Sequence, residues 1–128
     1  MKVVFTGGGT GGHFYPLMAV AEEILKETYT QKLLQPKLYY FASSSFDDNM
    51  LYERGIIYNN IPAGKMRLYF SFQNILDIFI TIYGMCKAFL KLLVIYPDVI
   101  FAKGGYDSVP TCLAAFILRI PIVIHDSD

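Results

Sequence analysis

Twice in this chain a short β-rich run stops at clustered glycines and gives way to a helical pattern. The first instance is Lys2–Phe5, then the glycines of "FTGGGTGGHFYP" (5–16), then a helix from His13 to about Thr28. The second is Val99–Ala102, then Gly104 and Gly105, then a helix over Ser108–Leu118. A strand that hands over to a helix returns to its sheet in parallel, through a right-handed crossover. The intervening residues keep the same alternation: strand Lys37–Ala42, a short helix Asp48–Arg54 capped from the "SSSFDD" cluster and stopped by Gly55, strand Ile56–Asn59, and helix Asn74–Ile95. A last strand, Ile122–Ile124, follows. Leu17, Val20, Ala21, Ile24 and Leu25 hold helical spacing, and Pro16 is tolerated in a first turn. The pattern predicts an α/β fold with a doubly wound, Rossmann-like parallel sheet. Strand order 3-2-1-4-5 would bring the carboxyl ends of the first and fourth strands to one switch crevice. No repeat and no linker interrupts the alternation, so residues 1–128 read as a single domain.

Glycine at a strand's carboxyl end lets the backbone approach a ligand without a Cβ in the way. The helix that follows supplies unpaired N–H groups and a positive dipole end, a setting suited to an anion and above all to phosphate. Tight strand-to-helix turns without a ligand are the other reading. Gly7, Gly9 and Gly12 satisfy G-x-G-x-x-G, yet a dinucleotide fits poorly. That fingerprint needs a carboxylate closing the second strand, and here the chain reads Phe41-Ala42-Ser43-Ser44, with none before Asp47. No Gly-Lys-Ser/Thr follows the glycines, which excludes a Walker A loop.

Lys+Arg and Asp+Glu are both 11, and that zero balance argues against a nucleic-acid partner. Hydrophobic residues reach 54% and mean hydropathy is +0.38, a surplus that needs a second domain, a partner or a membrane to cover it. The stretch "NILDIFITIYGMCKAFLKLLVIYP" (74–97) is interrupted by Asp77, Lys87 and Lys91. It is therefore expected to be a helix buried on most faces, or partly facing a membrane, and not a span. Lys65 and Arg67, with the aromatics Phe70 and Phe72, make a basic and aromatic loop suited to an anionic membrane surface; folding of those aromatics into the core is the alternative. Cys86 and Cys112 stand without a C-x-x-C pattern and read as reduced core thiols. The glycine loop arrives before an apolar h-region could form, so no signal peptide is expected.

"GGGTGGHFYPLMAVAEEI" and "FAKGGYDSVPTCLAAFILRIPIVIHDSD" resemble the two signature blocks of the MurG family, the lipid I N-acetylglucosaminyltransferases of peptidoglycan synthesis. The blocks stand at family spacing, and the resemblance runs along the whole chain. It implies the N-terminal, acceptor-binding half of an inverting GT-B glycosyltransferase. Such an enzyme moves GlcNAc from UDP-GlcNAc to undecaprenyl-pyrophosphate-MurNAc-pentapeptide, peripherally, at the cytoplasmic face of the cell membrane. The donor half would be a missing or separate domain, and neither cofactor nor metal is implied. On the same resemblance Thr10 and His13 fall on the Thr and His of the first loop, and Tyr106 on the Tyr of the second. His13 is the candidate catalytic base or orienter, with helix capping or phosphate binding as the other reading. Thr10, Gly11, Gly12, Gly104, Gly105, Tyr106 and Asp128 are the candidate acceptor and pyrophosphate contacts; packing under the loop is an equal reading for Tyr106. Asp128 and Ser127 replace the family's Asn and Gln, and Asp107 and Val109 also depart from it. A carboxylate only accepts where an amide can donate, so the contact at 128 is not simply inherited. A non-catalytic membrane-docking subunit that recruits a separate donor-binding chain, as in the two-subunit GlcNAc transferase of dolichol-linked glycan synthesis, is the alternative implied.

Overall fold

β1 (Lys2–Thr6) is buried on both faces, and this sets the layering of everything around it. The computed structural model describes residues 2–7, 11–31, 36–43, 45, 47–62, 72–103 and 108–124, with the side chains of 11–13 and 72–74 excepted. After β1 come α1 (Gly11–Thr30), β2 (Lys37–Ala42), α2 (Asp48–Glu53), β3 (Ile56–Asn60), α3 (Phe72–Ile95), β4 (Val99–Ala102), α4 (Val109–Leu118) and β5 (Ile122–Ile124). The strands form one sheet in the order β3-β2-β1-β4-β5, as the alternation of strands and helices predicts. Every neighbouring pair is parallel.

Side chains alternate across a strand, so β1 feeds two cores. Val3 and Phe5 join Phe14, Leu17, Met18 and Ala21 of α1 and Leu51 of α2 on one face. Val4 joins Ala88 and Leu92 of α3 and Ala114 and Ala115 of α4 on the other. Local chemistry marks the ends of these elements. The Asp47 carboxylate accepts from the Met50 backbone N–H at 3.1 Å and caps α2. At the far end of the same helix Arg54 donates to the Met50 carbonyl at 3.3 Å and pairs with Glu22 of α1. α1 begins at Gly11, two residues ahead of the expected start, which leaves Pro16 inside the helix. As the sixth helical residue Pro16 lies past the first turn expected for it: it lacks the N–H that would reach the Gly12 carbonyl, and its ring crowds that carbonyl.

The expectation that α3 is buried on most faces is wrong. Ile75, Leu76, Ile78, Phe79, Ile80, Ile82, Tyr83, Leu90, Leu93 and Val94 are exposed. Burial is confined to one stripe, Gly84, Ala88 and Leu92, spaced four apart and continued by half-buried Asp77 and Thr81. By length and composition residues 75–95 are apolar enough to cross a membrane, so the three charges do not by themselves exclude a span. The topology does. α3 joins β3 to β4, both members of one sheet, and such a crossover must lie along the sheet between them. Its carboxyl end is tied down as well: Lys2 Nζ donates to the Ile95 carbonyl at 3.0 Å and the Lys2 N–H to Asp98 at 2.8 Å. The cysteine reading needs the same correction. Both thiols are free, but Cys86 is exposed, because it falls off the Gly84–Ala88–Leu92 stripe, and Cys112 is only half-buried.

Gly84 is where α3 comes closest to its surroundings. A Cβ there would stand 1.7 Å from the Pro62 carbonyl oxygen and 3.4 Å from the Pro110 Cβ. Gly84→Ala is therefore expected to destabilise the fold by about 1–3 kcal/mol through overpacking against backbone. The roughly 1 kcal/mol that alanine gains in helix propensity works against that loss without cancelling it. Urea denaturation measures the balance, and an unchanged or raised midpoint would show that Pro62 yields freely.

Candidate functional site

The carboxyl ends of β1 and β4 lie side by side, with Thr6 paired to Ala102. One residue on, the Lys103 N–H donates to the Thr6 carbonyl at 3.0 Å. The chain then leaves β1 through Gly7 at φ 112, a left-handed conformation that a Cβ would strain. α1 starts four residues later, at Gly11, so its first-turn N–H groups open above the end of β1. A strand end, a left-handed glycine and a helix start thus meet at the switch point of the sheet order.

Carbonyl oxygens at this rim would repel an anion, and donors from within the fold hold several of them. Thr6 Oγ1 donates to the Phe41 carbonyl at 2.8 Å and Tyr40 Oη to the Gly7 carbonyl at 3.2 Å. Tyr58 Oη and the Ile61 N–H both donate to the Ala42 carbonyl, at 3.0 and 2.9 Å. Asn60 Nδ2 donates to the Ser43 carbonyl at 2.9 Å and to Tyr58 Oη at 3.1 Å. The row runs from β1 to β3 and fixes the strand ends relative to one another. With these carbonyls occupied, the positive end of the α1 dipole is what this edge of the sheet offers to a negative charge.

Gly11, Gly12 and His13 form the opening turn of α1, as backbone; their side chains lie outside the described residues. Thr10, Gly104, Gly105, Tyr106 and Asp128 lie outside them too, as do Lys65, Arg67 and Phe70. Phe72 is the first residue of α3, again as backbone only. Asp47, the nearest carboxylate after β2, caps α2 through Oδ1. Burial pushes the Cys112 thiol pKa up, away from nucleophilic use at neutral pH. Among the described residues no three His, Cys, Asp or Glu side chains gather as a metal would require.

Thr6, Tyr40, Tyr58, Asn60 and Lys103 were missed by sequence reasoning. The hydroxyls and the amide act on carbonyls of neighbouring strands, so they declare themselves only once the register is known. Lys103 carried a signal: a charged residue set between an apolar strand and two glycines. Thr6→Val keeps the shape and removes the donor, leaving the Phe41 carbonyl short of a partner at a fully buried site. It is expected to cost about 1–3 kcal/mol. Chemical denaturation checks this, and an unchanged midpoint would mean that the rim does not depend on the hydroxyl.

The sequence matches the glycosyltransferase family 28 N-terminal domain over residues 3–128. A Treponema denticola protein named UDP-N-acetylglucosamine--N-acetylmuramyl-(pentapeptide) pyrophosphoryl-undecaprenol N-acetylglucosamine transferase is 42% identical over 98% of this chain and 33% of its own length. The Treponema pallidum protein of the same name is 38% identical, over 98% of this chain and 32% of its own. The chain thus spans about a third of the curated relatives it matches. The crystal structure of Acinetobacter baumannii MurG superposes with a TM-score of 0.73 at 24% identity, covering 98% of this chain and 35% of that one. At that identity the likeness is one of fold.

Proposed function

The chain belongs to the glycosyltransferase family 28 N-terminal domains, and from that membership we propose that it is the acceptor-binding half of an inverting GT-B glycosyltransferase. The acceptor is undecaprenyl-pyrophosphate-MurNAc-pentapeptide, the donor is UDP-GlcNAc, and a donor-binding domain completes the enzyme. Residues 1–128 form the single Rossmann-like acceptor domain. The observation that carries the reading is the meeting of the β1 and β4 carboxyl ends beneath the start of α1. An anion held there satisfies the first-turn N–H groups and the helix dipole, and the acceptor's diphosphate is the anion this reading assigns. Gly11 and Gly12 present the backbone; Thr10, Gly104, Gly105, Tyr106 and Asp128 complete the contacts.

The acceptor hydroxyl must lose its proton as it attacks the anomeric carbon and UDP departs. His13, in the first turn of α1, is the base: an imidazole titrates near neutrality and so can take that proton. A transfer assay with lipid I and UDP-GlcNAc tests the assignment in the complete enzyme. His13→Ala is expected to lower kcat by about 10²–10⁴ and to leave KM for the lipid nearly unchanged. A rise in KM alone would make His13 a binding residue. Residues 1–128 alone are expected to transfer nothing, since catalysis needs both reactants held in one geometry.

The exposed face of α3 supports peripheral attachment at the cytoplasmic face of the cell membrane. Ile75, Leu76, Phe79 and Tyr83 stand out from the sheet, and on α4 of the same layer so do Leu113, Phe116 and Ile117. Lys65 and Arg67 precede α3 in the sequence, together with Phe70 and Phe72. Basic side chains give a salt-screened attraction to anionic lipid, and apolar ones a salt-resistant part. Binding to phosphatidylglycerol vesicles is expected to weaken but persist as salt rises. Lys65→Glu with Arg67→Glu should remove most of the salt-sensitive part, and Phe79→Asp should reduce the remainder. Absence of sedimentation with vesicles at low salt would refute the attachment.

A further inference from the structure

On the α1 side the two halves of the sheet are unequally covered. α1 and α2 connect β1 to β2 and β2 to β3, so they cover that half. On β4, Ile100 and Ala102 point to the α3–α4 layer and are buried, whereas Val99 and Phe101, on the α1 side, are only half-buried. Val123 of β5 is the register partner of Phe101, shares its face, and is 48% exposed. One flank of α1 meets α2 through Glu22, which pairs with Arg54, and through Leu25 and Tyr29. Helical spacing puts Val20, Ile24 and Glu27 on the opposite flank, towards β4, with Glu23 at its rim. Val20 and Ile24 are half-buried there and line a groove of about 490 Å³.

The winding of the sheet does not fill this groove. Right-handed crossovers put α1 and α2 on one layer as the chain moves from β1 to β3, and α3 and α4 on the other as it moves towards β5. A strand beyond β5 would be reached in that second direction, with its helix again beside α4. Yet parallel strands are stable when both of their faces are covered. Glu23 and Glu27 stand exposed at the groove, and among the described residues no cation pairs with either; Glu27 accepts from Gln31 Nε2 at 3.3 Å. We propose that the groove is a docking surface for an amphipathic helix with a basic flank. Its apolar stripe lies against Val20, Ile24, Phe101 and Val123, and its Lys or Arg side chains face Glu23 and Glu27. A helix satisfies its own backbone groups, so it can rest on an apolar floor that offers them no partner. The charges also separate this surface from the exposed face of α3, a helix whose second half carries Lys87 and Lys91 and offers a basic partner no such attraction.

Two synthetic peptides of about 20 residues, long enough to hold a helix once bound, test this against the 15N-labelled full chain. One carries a leucine stripe at helical spacing with lysines beside it; the other has glutamate in place of each lysine. The lysine peptide is expected to bind about 10-fold more tightly, an advantage that shrinks as salt rises. Its amide shifts should gather at Val20, Glu23, Ile24, Glu27 and Val123. In a chain with Glu23→Lys and Glu27→Lys the preference should reverse, whereas Glu53→Lys, on α2, should leave it unchanged. Glu23 and Glu27 are exposed, so the double variant is expected to stay folded, and its circular dichroism verifies that. The peptide comparison on the parent chain stands without any variant. Equal binding of the two peptides, or none at millimolar concentration, would overturn the proposal. So would shifts from the lysine peptide gathered on α3 and α4, or a folded double variant that keeps the parent's preference.

Discussion

Everything in this fold hangs on β1 lying in the middle of the sheet with both edges and both faces occupied. Its backbone pairs with β2 on one side and β4 on the other, while Val3 and Phe5 feed one core and Val4 the other. Right-handed crossovers leaving β1 in two directions must put α1 and α2 on one face and α3 and α4 on the other. The strand order then reverses at β1 and β4, and a crevice opens at their carboxyl ends as a consequence. Gly7 and Lys103, which lead out of the two strands, are placed by this topology before any ligand chemistry is considered. An edge position for β1 would separate them.

The second organising feature is how little of α3 the sheet uses. Gly84 admits the Pro62 carbonyl, and Ala88 and Leu92 fill the space over Val4 and Ile100. Small residues at the contact bring the helix close, so most of its apolar circumference faces outward. The chain thereby keeps two kinds of hydrophobic surface on one helix: a narrow stripe that holds the fold together, and a broad face available to a membrane. The strand ends at the switch point and that face belong to one sheet framework, as the proposed lipid-linked acceptor would require.

Element identity and order were readable in the sequence because apolar period, glycine and proline agreed along most of its length. Lys37–Ala42 and Val99–Ala102 carry the same bounds in the structure, and Asp47 caps α2 as the "SSSFDD" cluster implied. The orientation of α3 was not readable. A helix apolar all round does not say which face the sheet takes, and the answer lay in the small residues Gly84 and Ala88 rather than in the large ones. Cys86 was misplaced for the same reason. The hydrogen bonds of the rim were hidden because Thr6, Tyr40 and Tyr58 meet carbonyls from other strands, and a shift of one residue in register would break each. Arg119 ends α4 at φ 60, where glycine is the usual signal, so that boundary was marked only by the Pro121 beyond it.

The central claim is that the carboxyl ends of β1 and β4, under the first turn of α1, form an anion site. Backbone amide shifts of the 15N-labelled full chain, followed during titration with inorganic pyrophosphate, test it most directly. Saturable shifts are expected at Gly7, at Gly11 through Phe14 and at Lys103, with Lys2, Lys37 and the carboxyl-terminal turns of α1 and α3 unmoved. Shifts gathered at the opposite end of the sheet, or none at millimolar pyrophosphate, would contradict it.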